Sequence, residues 1–254
     1  MSDEVLVERQ GGVQVITINR PEARNALNGA VAAGIRDAAD ELDTDDRLQV
    51  GVLTGAGGTF SAGMDLKAFL KGETPSFPGR GLCGITQTPP RKPMIAAVEG
   101  WALAGGFELT LACDLVVAGA SARFGAPEVK RALVAGAGGA LLLARRIPRA
   151  LALEMLLTGD PVTAARAAEI GLVNRVVDDG QSLQAALGLA ATIAANGPLA
   201  LIATKEISNG GGDWTAAERW DQMARRLQPV FTSQDAQEGA RAFAEKRAPV
   251  WQGQ

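Results

Sequence analysis

The chain has no histidine and no tyrosine among its 254 residues. That lack excludes Ser-His-Asp and Cys-His nucleophilic catalysis, and with them every metal site that needs an imidazole ligand. Proton transfer near neutral pH would fall to carboxylates, lysines or thiols. Thiols are scarce: Cys83 and Cys113 are the two cysteines, without metal-ligand spacing, as expected of a reduced cytoplasmic protein. No uninterrupted apolar run reaches the roughly eighteen residues of a membrane span. The longest candidate, Val134 to Ala144, stops at Arg145-Arg146. The opening MSDEVLVERQ is acidic and lacks the basic, apolar and small-residue succession of a signal peptide. With a net charge of −3 and dispersed charges, neither nucleic acid nor membrane is expected as a partner.

What is present is 47% hydrophobic residues, enough to bury a sizeable core. Val5–Glu8 and Val13–Asn19 alternate around Gly11-Gly12 and predict a β-hairpin. Val31, Ile35, Ala38 and Leu42 recur at helical spacing, predicting an amphipathic helix that ends near Asp43. Val50–Thr54, Met94–Val98 and Leu115–Ala118 read as buried strands. Residues 70–93, rich in Gly and Pro, read as a mobile connection with one short helix. Thr163 and Gly171 bracket a helix before an expected strand, Leu172–Val177. Strands alternate with helices to about residue 180, an α/β pattern. From Ser182 the pattern is helical, broken at Gly197-Pro198 and Gly210-Gly211-Gly212, with Ser233 capping a last helix to about Lys246. Trp220, Met223, Leu227 and Phe231 form an apolar stripe there, expected to be covered at a subunit interface.

Two glycine-containing turns, Phe60–Lys67 and Gly100–Leu109, follow apolar strands. Small residues let a ligand approach the backbone, and a turn that opens a helix points free N–H groups outward. Facing one point, two such turns would hold an anionic oxygen; otherwise they merely turn the chain. The Gly55–Gly58 turn lacks the third glycine and the following helix of a dinucleotide loop. Glu108 is set among Leu103, Phe107, Leu109, Leu111 and Ala112. A carboxylate there is ion-paired, an acid at a helix start, or shifted in pKa. Glu128, beside the turn Phe124–Pro127, reads by itself as a surface acid.

Taken in order, these segments resemble the crotonase (enoyl-CoA hydratase/isomerase) superfamily. The resemblance rests on Asn19-Arg20-Pro21, Asn25–Asn28, Phe60–Asp65, Lys92–Val98, Gly105–Leu109, Phe124–Glu128, Gly136–Gly139, Leu157–Asp160 and Glu238–Arg247. It implies an α/β fold, a crotonase-like spiral of strand-strand-helix units over residues 1–196. A helical C-terminal region, 197–254, would serve oligomerisation into a homotrimer or a dimer of trimers. It also implies an acyl-CoA thioester substrate, with the oxyanion-hole amides falling on Met64 and Gly105 and the catalytic glutamates on Glu108 and Glu128. The CoA moiety would lie along Ala62, Met64, Asp65, Leu66 and Lys67, and Phe243 and Lys246 match positions that reach a neighbouring subunit's CoA.

The reaction so implied is reversible hydration of a trans-2-enoyl-CoA to a 3-hydroxyacyl-CoA, in fatty-acid or acyl-CoA catabolism. No metal or redox cofactor is expected, because the thioester enolate is the electron sink. The sequence departs from the family pattern at Met64, where simple hydratases often have alanine, at Ala135, where proline is common, and at Arg131, where an apolar residue is usual. Its first turn and its ending through Trp251 are also similar to carnitinyl-CoA dehydratases. Carnitinyl-CoA dehydration, double-bond isomerisation and thioester hydrolysis stay open, as do a non-catalytic acyl-CoA-binding protein and a structural assembly subunit.

Overall fold

The structure, a computed structural model, describes residues 3–254. Strands β1 (Val5–Gln10) and β2 (Val13–Ile18) form the expected antiparallel hairpin, which turns at Gly11 with φ +59°. Helix α1 (Gly29–Thr44) is capped by Asn28, whose side chain accepts the Val31 N–H. It buries Val31, Ile35 and Leu42, each stabilising by about 1.5–3 kcal/mol relative to exposure. There follow β3 (Val50–Gly55), the short α2 (Leu66–Phe69), and a small hairpin of β4 (Ser76–Phe77) and β5 (Gly81–Leu82).

Next come β6 (Met94–Val98), β7 (Trp101–Leu103) and α3 (Gly105–Ala112), then β8 (Leu115–Gly119), β9 (Arg123–Gly125) and a 3-10 helix, Pro127–Arg131. Beyond them lie α4 (Gly139–Arg146), α5 (Arg149–Thr158), β10 (Val162–Thr163), α6 (Ala164–Glu169) and β11 (Arg175–Val177). The chain continues through α7 (Ser182–Ala194), α8 (Pro198–Gly210), α9 (Arg219–Phe231) and α10 (Gln234–Glu245).

The arrangement is the crotonase-like spiral. Each coil lays a first strand in a six-stranded sheet, ordered β1-β2-β3-β6-β8-β11 and parallel from β2 onward. A second, shorter strand then enters a smaller sheet ordered β10-β9-β7. Bridges Ser61↔Ala102 and Leu27↔Met64 carry that smaller sheet's pairing back into the first glycine turn. The central strands β3, β6 and β8 are mostly apolar because both faces are covered there. Phe60, Phe107, Phe124 and α1 fill the space on one face, and Ala186 and Ala190 of α7 pack on Val52, Ile95 and Val117 on the other.

Two expectations need correction. Residues 70–93 are not a loose connection: the short helix precedes them, and Leu82, Cys83 and Ile85 are buried in the core. Gly and Pro marked sharp turns there, but turn chemistry says nothing about what packs between the turns. The last strand is Arg175–Val177 alone, because Leu172 and Val173 return their N–H groups to Ala167 at the end of α6. Among the described residues no single helix is long and apolar enough to cross a membrane.

Candidate active site

The first glycine turn is built by side chains that bond to backbone. Asn25, fully buried, accepts the Arg20 N–H through Oδ1 and donates to the carbonyls of Ala56 and Thr59 at 2.8 and 2.6 Å. Ser61 Oγ donates to Asn25 O and accepts the Gly63 N–H at 3.1 Å. Asp65 caps α2, accepting from Lys67 and Ala68, and pairs with Arg20 at 3.0 Å through its other oxygen. These bonds hold its carboxyl below the ordinary value despite the opposing effect of burial.

Gly63 has φ +93°, and a Cβ there would lie 2.8 Å from Ala104 Cβ and 2.9 Å from Leu103 O. Glycine is required on both counts. The turn is tied by Leu27 N to Gly63 O and Asp65 N to Leu27 O, which leaves the Met64 N–H without an acceptor among the described residues.

The second turn comes against the first. A Cβ on Gly105 would sit 3.7 Å from Met64 N, with Leu82 Cδ2 at 3.1 Å and Leu27 Cδ1 at 3.3 Å on either side. Gly105 opens α3, so its N–H too has no intrahelical partner. The two free amides of the sequence reading are therefore neighbours, backed by leucines. Ala104 aims the second amide, and it does so at φ +49°, ψ −126°. A residue with a Cβ resists that conformation by about 1–3 kcal/mol. Its N–H donates to Gly125 O at 2.9 Å, tying the turn to β9 and hence to Pro127 and Glu128.

Glu108 lies on the first turn of α3 and is 3% exposed. Its Oε1 accepts the Gly139 N–H at 2.9 Å. Burial pushes its carboxyl up to about 7; the Gly139 bond opposes that rise and the nearby Glu128 charge adds to it. It has no cation partner among the described residues, so the ion-pair reading is excluded. Glu128 corrects the surface-acid reading. It is half-buried, its Oε2 is buried with no hydrogen-bond partner, and burial raises its pKa while the Arg131 charge lowers it. Two carboxyl groups within electrostatic reach, one raised to about 7 and one with an unsatisfied oxygen, are suited to hold and deprotonate a small nucleophile.

Of the other predicted positions, Ala62 and Met64 are half-buried beside the amides, while Leu66 and Lys67 on α2 are exposed. Phe243 lies on α10, which packs on α9, and Lys246 is that helix's C-cap; both are exposed. The chain does not bring them into the cluster around Glu108. A cleft of 460 Å³ lined by Asp235, Glu238, Arg241 and Arg247 is likewise apart from the glutamates. Sequence reading missed Gly139 as the donor to Glu108 and Leu82 as the wall behind Gly105. The Gly-rich run at 136–139 was the available signal for the first; nothing marked the second.

The spiral of strand-strand-helix coils, with its largely parallel six-stranded sheet, is the fold of the crotonase class. The chain belongs to the enoyl-CoA hydratase/isomerase family, whose pattern matches residues 8–254. It is 45% identical over 260 residues to enoyl-CoA hydratase EchA19 of Mycobacterium tuberculosis, covering 98% of this chain and 96% of that one. It is 39% identical over 261 residues to carnitinyl-CoA dehydratase of Salmonella typhi, covering all of both chains. The crystal structure of an enoyl-CoA hydratase from Mycobacterium tuberculosis H37Rv superposes with a TM-score of 0.98 at 56% identity over the full length of both.

Proposed function

We propose that the protein is a hydro-lyase that adds water reversibly to a trans-2-enoyl-CoA, giving a 3-hydroxyacyl-CoA, in acyl-CoA catabolism. The observation that carries this reading is a pair of carboxyl groups withdrawn from water without a salt-bridge partner among the described residues, Glu108 and Glu128, the first sensing the charge of the second. The first is raised to about 7, and the second has a buried oxygen with no partner. Relatives named enoyl-CoA hydratase and carnitinyl-CoA dehydratase both add or remove water, which agrees with it.

In this reading the thioester oxygen lies between the N–H groups of Met64 and Gly105. Attack of water at Cβ moves the electron pair of the Cα=Cβ bond toward that oxygen, forming an enolate. Each amide donor contributes roughly 3–4 kcal/mol to its stabilisation. One glutamate takes a proton from the attacking water and the other delivers one to Cα. The proton count closes without a metal or redox cofactor. The loop Ala62–Lys67 lies along the CoA moiety, and Phe243 and Lys246 of a neighbouring subunit complete its binding in a homotrimer or dimer of trimers. Residues 197–254 serve that assembly. Two free, buried thiols support a cytoplasmic setting.

The test is a panel of enoyl-CoA and 3-hydroxyacyl-CoA thioesters, followed by loss of enoyl absorbance and product mass. Hydration of at least one enoyl-CoA is expected. Substituting Met64, whose amide survives the change, should alter mainly which acyl group is preferred. A pure carrier would bind the same thioesters and turn over none of them.

A further inference from the structure

Residues Arg247 to Gln254 have no secondary structure, yet they fold back along α10 and are held at three points. Glu238 grips Arg247 with both oxygens, at 2.6 and 2.9 Å, and accepts the Val250 N–H at 2.9 Å. Asp235, 5% exposed, accepts the N–H groups of Gln252 and Gly253 at 2.7 and 2.9 Å, while its own amide donates to Gln254 O at 3.0 Å. Between them, Trp251 Nε1 donates to Ala195 O, just past α7, at 2.8 Å. The indole ring lies against Gly239 of α10 and Gly197, the residue before α8; a Cβ on Gly239 would stand 3.2 Å from it. One side chain thus joins α10 to the α7–α8 bend.

Little else fixes α10. Its one buried apolar residue is Ala242, so core packing does not set the helix position strongly. The helix nevertheless displays Phe243, 87% exposed, and ends at an exposed C-cap, Lys246. An aromatic face with an ammonium nearby offers stacking to a nucleobase and charge to a phosphate.

We infer that Arg247–Gln254 is a clamp, and that Trp251 is a positioning residue that holds Phe243 and Lys246 where the nucleotide end of a CoA thioester meets them. This rests on the reading of those two residues given under the proposed function. Trp251 does not touch the reacting atoms, so losing it should act on binding rather than chemistry.

The experiment compares Trp251→Ala, Trp251→Phe and Gly239→Ala in the full-length chain. Trp251→Ala should raise KM for the CoA thioester on the order of tenfold with kcat nearly unchanged, a loss of alignment imposed from a distance. Trp251→Phe keeps the ring against Gly239 and should recover part of the loss. Gly239→Ala adds a methyl group that pushes the ring while favouring the helix. It should raise KM without lowering Tm, which a merely structural role would not do. Hydrogen exchange should show faster α10 amides in Trp251→Ala; unchanged exchange would overturn the clamp. Lys246→Ala and Phe243→Ala separate the underlying reading. If they raise KM and the Trp251 and Gly239 variants do not, the positioning role is wrong. If they leave KM unchanged, the assignment of α10 to CoA fails, whatever the exchange data show.

Discussion

The Gly139 amide donates to Glu108 Oε1 at 2.9 Å across 31 positions of sequence. That bond fixes one oxygen of the acid against the start of α4 and leaves the other available. A Cβ at position 139 would lie 3.1 Å from the same oxygen and 2.8 Å from Ala135 Cβ, so the donor can approach only as glycine.

Glu108→Gln and Glu128→Gln should each lower turnover by roughly 10²-fold or more, the range for losing a general acid–base group. Glutamine keeps size and hydrogen bonding, so binding of the thioester should change far less. Groups that act as a unit are non-additive, and the double variant should be hardly worse than the poorer single one. Wild-type hydration by folded Glu128→Gln would end the two-glutamate assignment.

Glu108 also makes stability depend on pH. Its carboxyl lies at about 7 in the folded chain against 4.5 unfolded. Between those values the folded state keeps a proton that the unfolded state has lost. The contribution is therefore fully present below about pH 4.5 and is lost as pH rises through about 7. The total is about 3 kcal/mol. Urea unfolding across that window, wild type minus Glu108→Gln, should show a difference that declines with rising pH. A flat difference would show that burial does not shift this group.

The two facing turns give two opposed substitutions. Gly63→Ala must displace Ala104 or Leu103, spoiling the pair of amides, and should cost on the order of 10²–10³-fold in kcat. Ala104→Gly relieves the strained conformation at φ +49° and should leave stability unchanged or raise it by about 1 kcal/mol. Circular-dichroism melts and initial rates on the two variants separate strain from function. Equal activity of Gly63→Ala and wild type would remove the oxyanion role from the first turn.

Helix α9 buries none of its residues within the chain, and Trp220 and Phe231 are 68% and 74% exposed. Together with the half-buried Met223 and Leu227 they form an apolar face that water disfavours. Light scattering at micromolar concentration should give a multiple of the chain mass, and Trp220→Glu with Phe231→Glu should lower it. A monomer mass for the wild type would refute the interface.

Much of this architecture was legible from residue order. Alternation gave the first hairpin, apolar runs gave β3, β6 and β8, and Thr163 and Ser233 cap helices as expected. Glu108 stood out because its own helix is apolar. Glu128 did not, since its burial comes from segments distant in sequence, and a lone acid after a proline carries no local sign of that. Ala104 hides its strain for a related reason: nothing in an alanine's identity signals a positive φ. Leu82 was lost inside a stretch whose glycines and prolines describe bends and not burial.

The parallel register of β7 and β9 pairs Leu103 with Gly125, so the acid on α3 and the acid after β9 follow two neighbouring strands from one rung of the ladder. Like threads on a screw, they stay in phase only while each coil keeps its length. A residue inserted between Ala102 and Glu108, or between Phe124 and Glu128, would turn one carboxyl away from the other, because it reverses the face of a strand or rotates the helical turn that follows by roughly 100°. Extra residues on the opposite rim, such as around Asp45-Asp46, would lengthen a coil's outer bend and leave the threads aligned. The molecule can therefore vary at one end in size and sequence while its other end tolerates substitution but not a change in count.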